Sequence, residues 1–204
     1  AWVVKTDEER VQNLVYDQLR GEKWIVTEKI DGSSATFTMK RRKPTLFDKS
    51  KYEFYVCSRN VVFDRPDKPC YYDSNIYLEM AEKYHIEGEM FKWLETHPDV
   101  EWLTLQGEVY GSGVQKRDYS SSDHNLRIFN FIDSVKGRWN TLDMGREILE
   151  KFEDMRCVPV LDKDFELPAT CDELLQYAEG KSEIDDLPRE GVVLRSMDGK
   201  RSFK

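Results

Sequence analysis

Lys23-Trp24-Ile25-Val26-Thr27-Glu28-Lys29-Ile30-Asp31-Gly32-Ser33-Ser34-Ala35-Thr36-Phe37-Thr38-Met39 is the stretch on which the reading turns. Residues 23–27 alternate as a half-buried strand does, and residues 35–39 do the same. Asp31-Gly32 between two such runs is a hairpin-turn signal, because glycine tolerates the positive φ of a tight turn. Lys29 is thereby placed at a strand end, beside a carboxylate and a cluster of hydroxyls. A lysine aimed by rigid backbone can be a nucleophile, provided something lowers its pKa from about 10.4. Taken singly, Lys-x-Asp-Gly more often marks a solvated strand end, so the rest of the chain has to decide.

The 204 residues suit one domain with a real core. Hydrophobic residues at 39% and charged ones at 34% describe a folded chain with a heavily charged surface. The formal net charge of −8 argues against a protein that coats nucleic acid through its overall field. A local basic groove is still allowed, and Lys40-Arg41-Arg42-Lys43 is the candidate for one. Cys57, Cys70, Cys157 and Cys171 are too widely spaced for a zinc site or a dense disulfide framework, and His85, His97 and His124 form no ligand cluster. With neither a signal peptide nor a long apolar run, the expectation is a soluble, intracellular monomer with no membrane partner.

Along the chain, Trp2-Val3-Val4 opens the sequence and residues 5–19 read as a helix. Thr6 with Glu9 makes a capping box there, and Val11, Leu14, Val15 and Leu19 make the apolar face. Residues 52–57 read as a strand ending in Ser58-Arg59-Asn60, where the arginine could grip a phosphate or a ribose. A loop holding Pro66 and Pro69 follows, then helices over 75–84 and 89–96. Residues 103–111 alternate as a strand but carry Gly107 and Glu108, and a glycine there suggests the close approach of a ligand. A polar, serine-rich loop leads to a strand over 126–133, in which Phe129 and Phe131 share a face. Helices over 141–152 and 172–178, an acidic connector at 182–186 and a strand over 189–195 complete the reading. Strands and helices in no regular βαβ rhythm predict an α+β fold with largely antiparallel sheets. No glycine-rich phosphate loop is present, so any nucleotide has to be held by side chains on strands.

Taken in order, Lys29-Ile30-Asp31-Gly32, Ser58-Arg59, the Gln106-to-Gly111 run, Phe129-Asn130-Phe131, the Glu190-to-Arg195 run and Lys204 resemble a known motif set. It is that of the covalent nucleotidyltransferase superfamily of ATP-dependent polynucleotide ligases and mRNA capping enzymes. DNA ligases and capping enzymes generally carry an arginine two residues after Asp-Gly, where this chain has Ser34. Lys-x-Asp-Gly-Ser-Ser, entered through residues 5–13, is most similar to the RNA ligases.

The resemblance implies a nucleotidyltransferase fold over residues 1–204, with helices flanking the sheets and an ATP pocket between them. It also implies a further RNA-binding or OB-type domain, and a second lysine in the last motif, neither of which the 204 residues contain. By resemblance, Lys29 takes AMP from ATP as a lysyl-AMP, passes it to an RNA 5′-phosphate, and a 3′-hydroxyl then seals the ends. Asp31 and Glu190 are the implied holders of Mg²⁺ or Mn²⁺. Glu28, Lys29, Arg59, Glu108, Phe131, Glu190 and Lys204 are implied in nucleotide binding, with Glu108 on the ribose, Phe131 stacked on adenine in preference to Phe129, and Arg59 and Lys204 on phosphates. Lys204 and the metal should depress the Lys29 pKa. A DNA ligase, a capping-type enzyme and a non-catalytic RNA-end-binding module are the alternatives.

Overall fold

The computed structural model describes residues 7–64 and 69–204. Trp2-Val3-Val4, the Thr6 member of the expected capping box and Pro66 lie outside them. The elements, in chain order, are β1 (Lys23–Lys29), β2 (Ser33–Arg41), β3 (Tyr52–Cys57), α1 (Ile76–Lys83), α2 (Ile86–Glu95), β4 (Trp102–Gly111), β5 (His124–Asp133), β6 (Gly137–Arg138), α3 (Thr141–Lys151), β7 (Val160–Glu166), α4 (Cys171–Ala178), β8 (Gly191–Ser196) and β9 (Ser202–Phe203). Among the described residues they form a four-stranded sheet, β7-β1-β8-β9, and a five-stranded sheet, β3-β2-β4-β5-β6. Every pairing within them is antiparallel. The α+β expectation is therefore met.

The expected hairpin is not. β1 and β2 belong to different sheets, so Ile30-Asp31-Gly32 is a crossing between layers and not a tight turn. Gly32 is needed there for space, not for dihedral freedom. It lacks a positive φ, but a Cβ on it would lie 2.2 Å from the Val109 carbonyl oxygen. Gly107 has a similar explanation. A Cβ there would meet the Arg127 carbonyl at 2.7 Å, so it is the neighbouring strand that approaches, not a ligand.

The large core lies on one face of the five-stranded sheet. Ala35, Phe37 and Met39 of β2, with Leu103 and Leu105 of β4, pack there against Met80, Met90, Leu94 and Ile148 of α1, α2 and α3. Their i, i+2 spacing on the strands and i, i+4 spacing on α2 is what one-sided burial demands. Asn75 caps α1 by accepting from the Tyr77 and Leu78 amides at 3.2 and 3.1 Å, which fixes where that helix begins. A second core, from Trp24, Val26, Val192 and Leu194, lies under Leu174 of α4 on the four-stranded sheet.

Three further differences from the sequence reading have physical causes. The described part of residues 5–19 is two 3₁₀ turns, Val11–Asn13 and Tyr16–Leu19. Its backbone is spent elsewhere: the Val11 amide donates to the Lys204 carbonyl, and the Lys204 amide donates to the Glu9 carbonyl. β7 carries no strand signal in the sequence because Asp162, Lys163, Asp164 and Glu166 break its apolar pattern, as suits an edge strand. α2 starts before the expected Glu89, at Ile86, because His85 takes the left-handed conformation and restarts the helix.

The Lys40-to-Lys43 patch forms no free basic groove. Arg41 donates to the carbonyls of Val100 at 2.8 Å and Leu94 at 2.5 Å, and Arg42 pairs with Asp48. No helix of the described residues is long and apolar enough to cross a membrane.

Candidate active site

The two sheets meet through a polar layer. Arg195 of β8, only 5% exposed, donates to the Asn130 side chain of β5 at 2.6 Å. Asn130 in turn donates to Gln106 of β4 at 2.8 Å, and Gln106 to Thr36 of β2 at 3.3 Å. A connected chain of this kind fixes the distance between the layers, because leaving any member unpaired in the interior is costly. Where the layers part, a cleft of about 350 Å³ opens. Glu28, Lys29, Asp31, Arg59, Glu108, Glu190 and Lys204 all line it. Seven of the eight residues singled out from the sequence thus meet in one place.

Lys29 ends β1, opposite Gly191 at the start of β8. That register brings the Lys29 ammonium onto the Glu190 carboxylate, 161 residues away in sequence, with both side chains about one-third exposed. Glu190 is held from behind. Its neighbour Arg189 turns away from the cleft and donates to the Ala178 carbonyl at 3.0 Å, closing the C-terminal end of α4.

Glu28 is 1% exposed and its carboxylate is already committed. It accepts from the Ser182 hydroxyl at 2.5 Å and from the Glu183 amide at 2.8 Å. These contacts anchor the acidic connector against β1, and Glu28 is also among the residues that line the cleft.

Glu108 lies on β4, directly opposite Ser34 of β2, whose hydroxyl donates to it at 3.2 Å. Burial pushes its pKa up to about 8, with the nearby Glu190 and Asp31 carboxylates adding to the shift. The Ser34 hydrogen bond and the Lys29 charge oppose it. Asp31 is aimed by its own backbone, whose amide donates to the Tyr119 hydroxyl at 2.6 Å. The Gly32 carbonyl accepts from Gln115 at 3.1 Å, so the serine-rich loop braces the crossing.

Phe131 is a correction. It is fully buried in the large core, against Trp93, Trp139 and Phe152, and does not reach the cleft. Phe129 is the ring on the cleft wall, beside Ile30, Tyr110, Tyr119 and Val158. The cause is a bulge. β5 pairs Asn130 with Gln106 but Ile128 with Gly107, so one extra residue on β5 breaks the alternation between the two phenylalanines.

Arg59 and Lys204 come from opposite walls. Ser58 accepts from the Val61 amide at 3.1 Å, forming the turn that presents Arg59. Both cations meet one carboxylate, Asp7: Arg59 in direct contact and Lys204 at 3.9 Å. The next residue, Glu8, lies 3.6 Å from Arg195. Asp7, Glu8 and Arg195 are cleft residues to which the sequence reading gave no role. Asp7 and Glu8 lay in the run 5–13 that resembles the RNA ligases, and Arg195 stood out as a charge alternating with Val193 in an otherwise apolar strand.

Among the described residues no three His, Cys, Asp or Glu side chains converge as a metal site. Asp31 and Glu190 on one cleft nonetheless fit Mg²⁺ or Mn²⁺ chemistry. Such ions commonly take one or two carboxylates and complete their shell with water and phosphate oxygens.

Comparison with known proteins agrees with this geometry. The RNA ligase family profile matches residues 22–204. A mutant of Naegleria gruberi RNA ligase with ATP and Mn is 29% identical with a TM-score of 0.77, the match covering 98% of this chain and 54% of that one. A second mutant, with AMP and Mn, is 28% identical with a TM-score of 0.77, covering 99% and 55%. The same ligase with PPi is 29% identical with a TM-score of 0.76, covering 99% and 55%. The chain thus spans about half the length of the solved ligases it matches. No curated protein matches.

Proposed function

The chain belongs to the RNA ligase family, and from that premise we propose that residues 1–204 are the adenylyltransferase domain of an ATP-dependent RNA ligase. The Lys29 amine, once freed of its proton, attacks the α-phosphorus of ATP. An N–P bond forms as the bond to the bridging oxygen breaks, pyrophosphate leaves, and Lys29 holds AMP as a phosphoramidate. An RNA 5′-phosphate oxygen then attacks that phosphorus and returns the amine. A 3′-hydroxyl attacks the activated RNA phosphate, releasing AMP and closing the phosphodiester.

The observation that carries this reading is the meeting of Lys29 with Glu190 at the mouth of a cleft that Glu108 also lines. A nucleophile fixed at a strand end needs little reorganisation to reach a phosphorus held in the same cleft. Glu190 orients the amine. Phe129 and Val158 offer the apolar wall for adenine, replacing Phe131 in that role. Glu108, its carboxyl pushed up to about 8 mainly by burial, is placed to hydrogen-bond the ribose hydroxyls. Arg59 and Lys204 take the phosphates. Asp31 and Glu190 would hold the divalent ion, which offsets phosphate charge and helps pyrophosphate to leave. The Naegleria gruberi structures with ATP and Mn, AMP and Mn, and PPi support these reactants. All four cysteines are free thiols, as suits a reducing compartment.

The test is intact mass after incubation with ATP and Mg²⁺ or Mn²⁺. The chain should gain one AMP from ATP but not one GMP from GTP. The AMP should pass on to 5′-phosphorylated RNA in preference to DNA. A Lys29→Ala variant that still gained AMP would overturn the proposal.

A further inference from the structure

Among the described residues, each cation on the cleft is matched by a carboxylate, and one short segment supplies several of those matches. Lys29 has Glu190, Arg59 and Lys204 share Asp7, and Arg195 has Glu8. Asp7 and Glu8 do not reach the cleft by chance of surface exposure. Glu9 bridges Phe203 of β9 in parallel, accepts from the Lys204 amide at 2.9 Å, and the Val11 amide donates to the Lys204 carbonyl at 2.9 Å. The segment is thus tied by backbone to the edge of the four-stranded sheet, and its two acidic side chains project inward from that tie.

We propose that Asp7 is a tethered stand-in for phosphate that sets how strongly the cleft selects for polyphosphate. The inference rests on the reading of this cleft as an ATP site. Arg59 and Lys204 stand on opposite walls, and a single carboxylate between them satisfies both before any nucleotide arrives. A tethered carboxylate has a high effective concentration, so an incoming anion has to displace it and not merely occupy an empty site. An anion with several charges replaces both contacts together. A lone monoanion cannot, and is disfavoured. The same contact keeps the two cations from repelling one another and from pairing elsewhere while the cleft is free. Asp7 is 52% exposed and Arg59 59%, so the contact is a solvent-accessible ion pair and each is readily released. That exposure also bounds the effect, since exposed pairs contribute little.

The experiment measures binding of inorganic pyrophosphate and of ATP to the full chain and to Asp7→Asn and Asp7→Ala variants. Asp17→Asn, on an exposed position of the second 3₁₀ turn, serves as a control that removes the same charge away from the cleft. Both Asp7 variants should bind pyrophosphate about two- to fivefold more tightly at low salt, in line with a solvent-exposed pair. The gain should shrink as salt rises. In self-adenylylation the KM for ATP should fall while kcat stays near its starting value, a split that a purely structural role for Asp7 would not produce. Asp17→Asn should bind as the unaltered chain does. Unchanged or weaker pyrophosphate binding in both Asp7 variants would overturn the inference, as would equal tightening in the Asp17 control. A chain that takes up no AMP at all would count against the adenylyltransferase reading, which the pyrophosphate arm keeps separate.

Discussion

Glu108 shows how a single residue can be tuned by where the chain places it. Its carboxyl is pushed up to about 8 by burial first, then by Glu190 and Asp31. In the unfolded chain it should titrate near 4.3. The folded value is the higher one, so the stabilising effect of the bound proton is complete below the unfolded pKa and is lost as pH rises through the folded value. Stability should therefore decline between about pH 4.5 and 8 and flatten above that. A Glu108→Gln variant, which keeps the shape and cannot ionise, should lose that part of the slope. Urea midpoints measured across this range for both proteins check it, and parallel curves would contradict it.

At the level of the strand, the bulge in β5 decides which ring serves the core and which serves the cleft. Phe131→Ala should cost about 3–5 kcal/mol of stability, the usual price of emptying a buried aromatic site. Phe129→Ala should leave the melting temperature nearly unchanged and raise the KM for ATP, because its ring is only partly buried beside the cleft. Thermal melts and self-adenylylation kinetics on the two variants separate these outcomes. The same bulge marks the limit of what could be read from residues alone. Strand periodicity placed β2, β4 and β5, although both faces are buried along much of β2 and β4. Nothing in Phe129-Asn130-Phe131 announces an extra residue, because the break arises from how β4 meets β5 at Gly107. Asp31-Gly32 misled for a related reason. A turn between two strands of one sheet and a crossing between two sheets use the same residues, and what tells them apart is the pairing of β1 and β2 into different sheets. The first N-terminal 3₁₀ turn is tied to Lys204, at the other end of the sequence, and a local helix signal could not show that.

For the molecule as a whole, the net charge of −8 and the proposed polyphosphate cleft are compatible. The cations that matter are gathered on two facing sheets and balanced locally, so the overall field need not attract the substrate. The division into two sheets is what makes the site: β1 and β8 bring Lys29 and Glu190, while β2 and β4 bring Ser34 and Glu108. The layer from Arg195 through Asn130 and Gln106 to Thr36 holds those halves at a set spacing. All of this serves one amine, and the most direct test is to find where AMP ends up. The chain is incubated with ATP and Mg²⁺, digested without acid, and its peptides are sequenced by tandem mass spectrometry. The account predicts AMP on the peptide holding Lys29, bound through the side-chain nitrogen and discharged when pyrophosphate is added back. AMP on any other residue, with Lys29 unmodified, would contradict it.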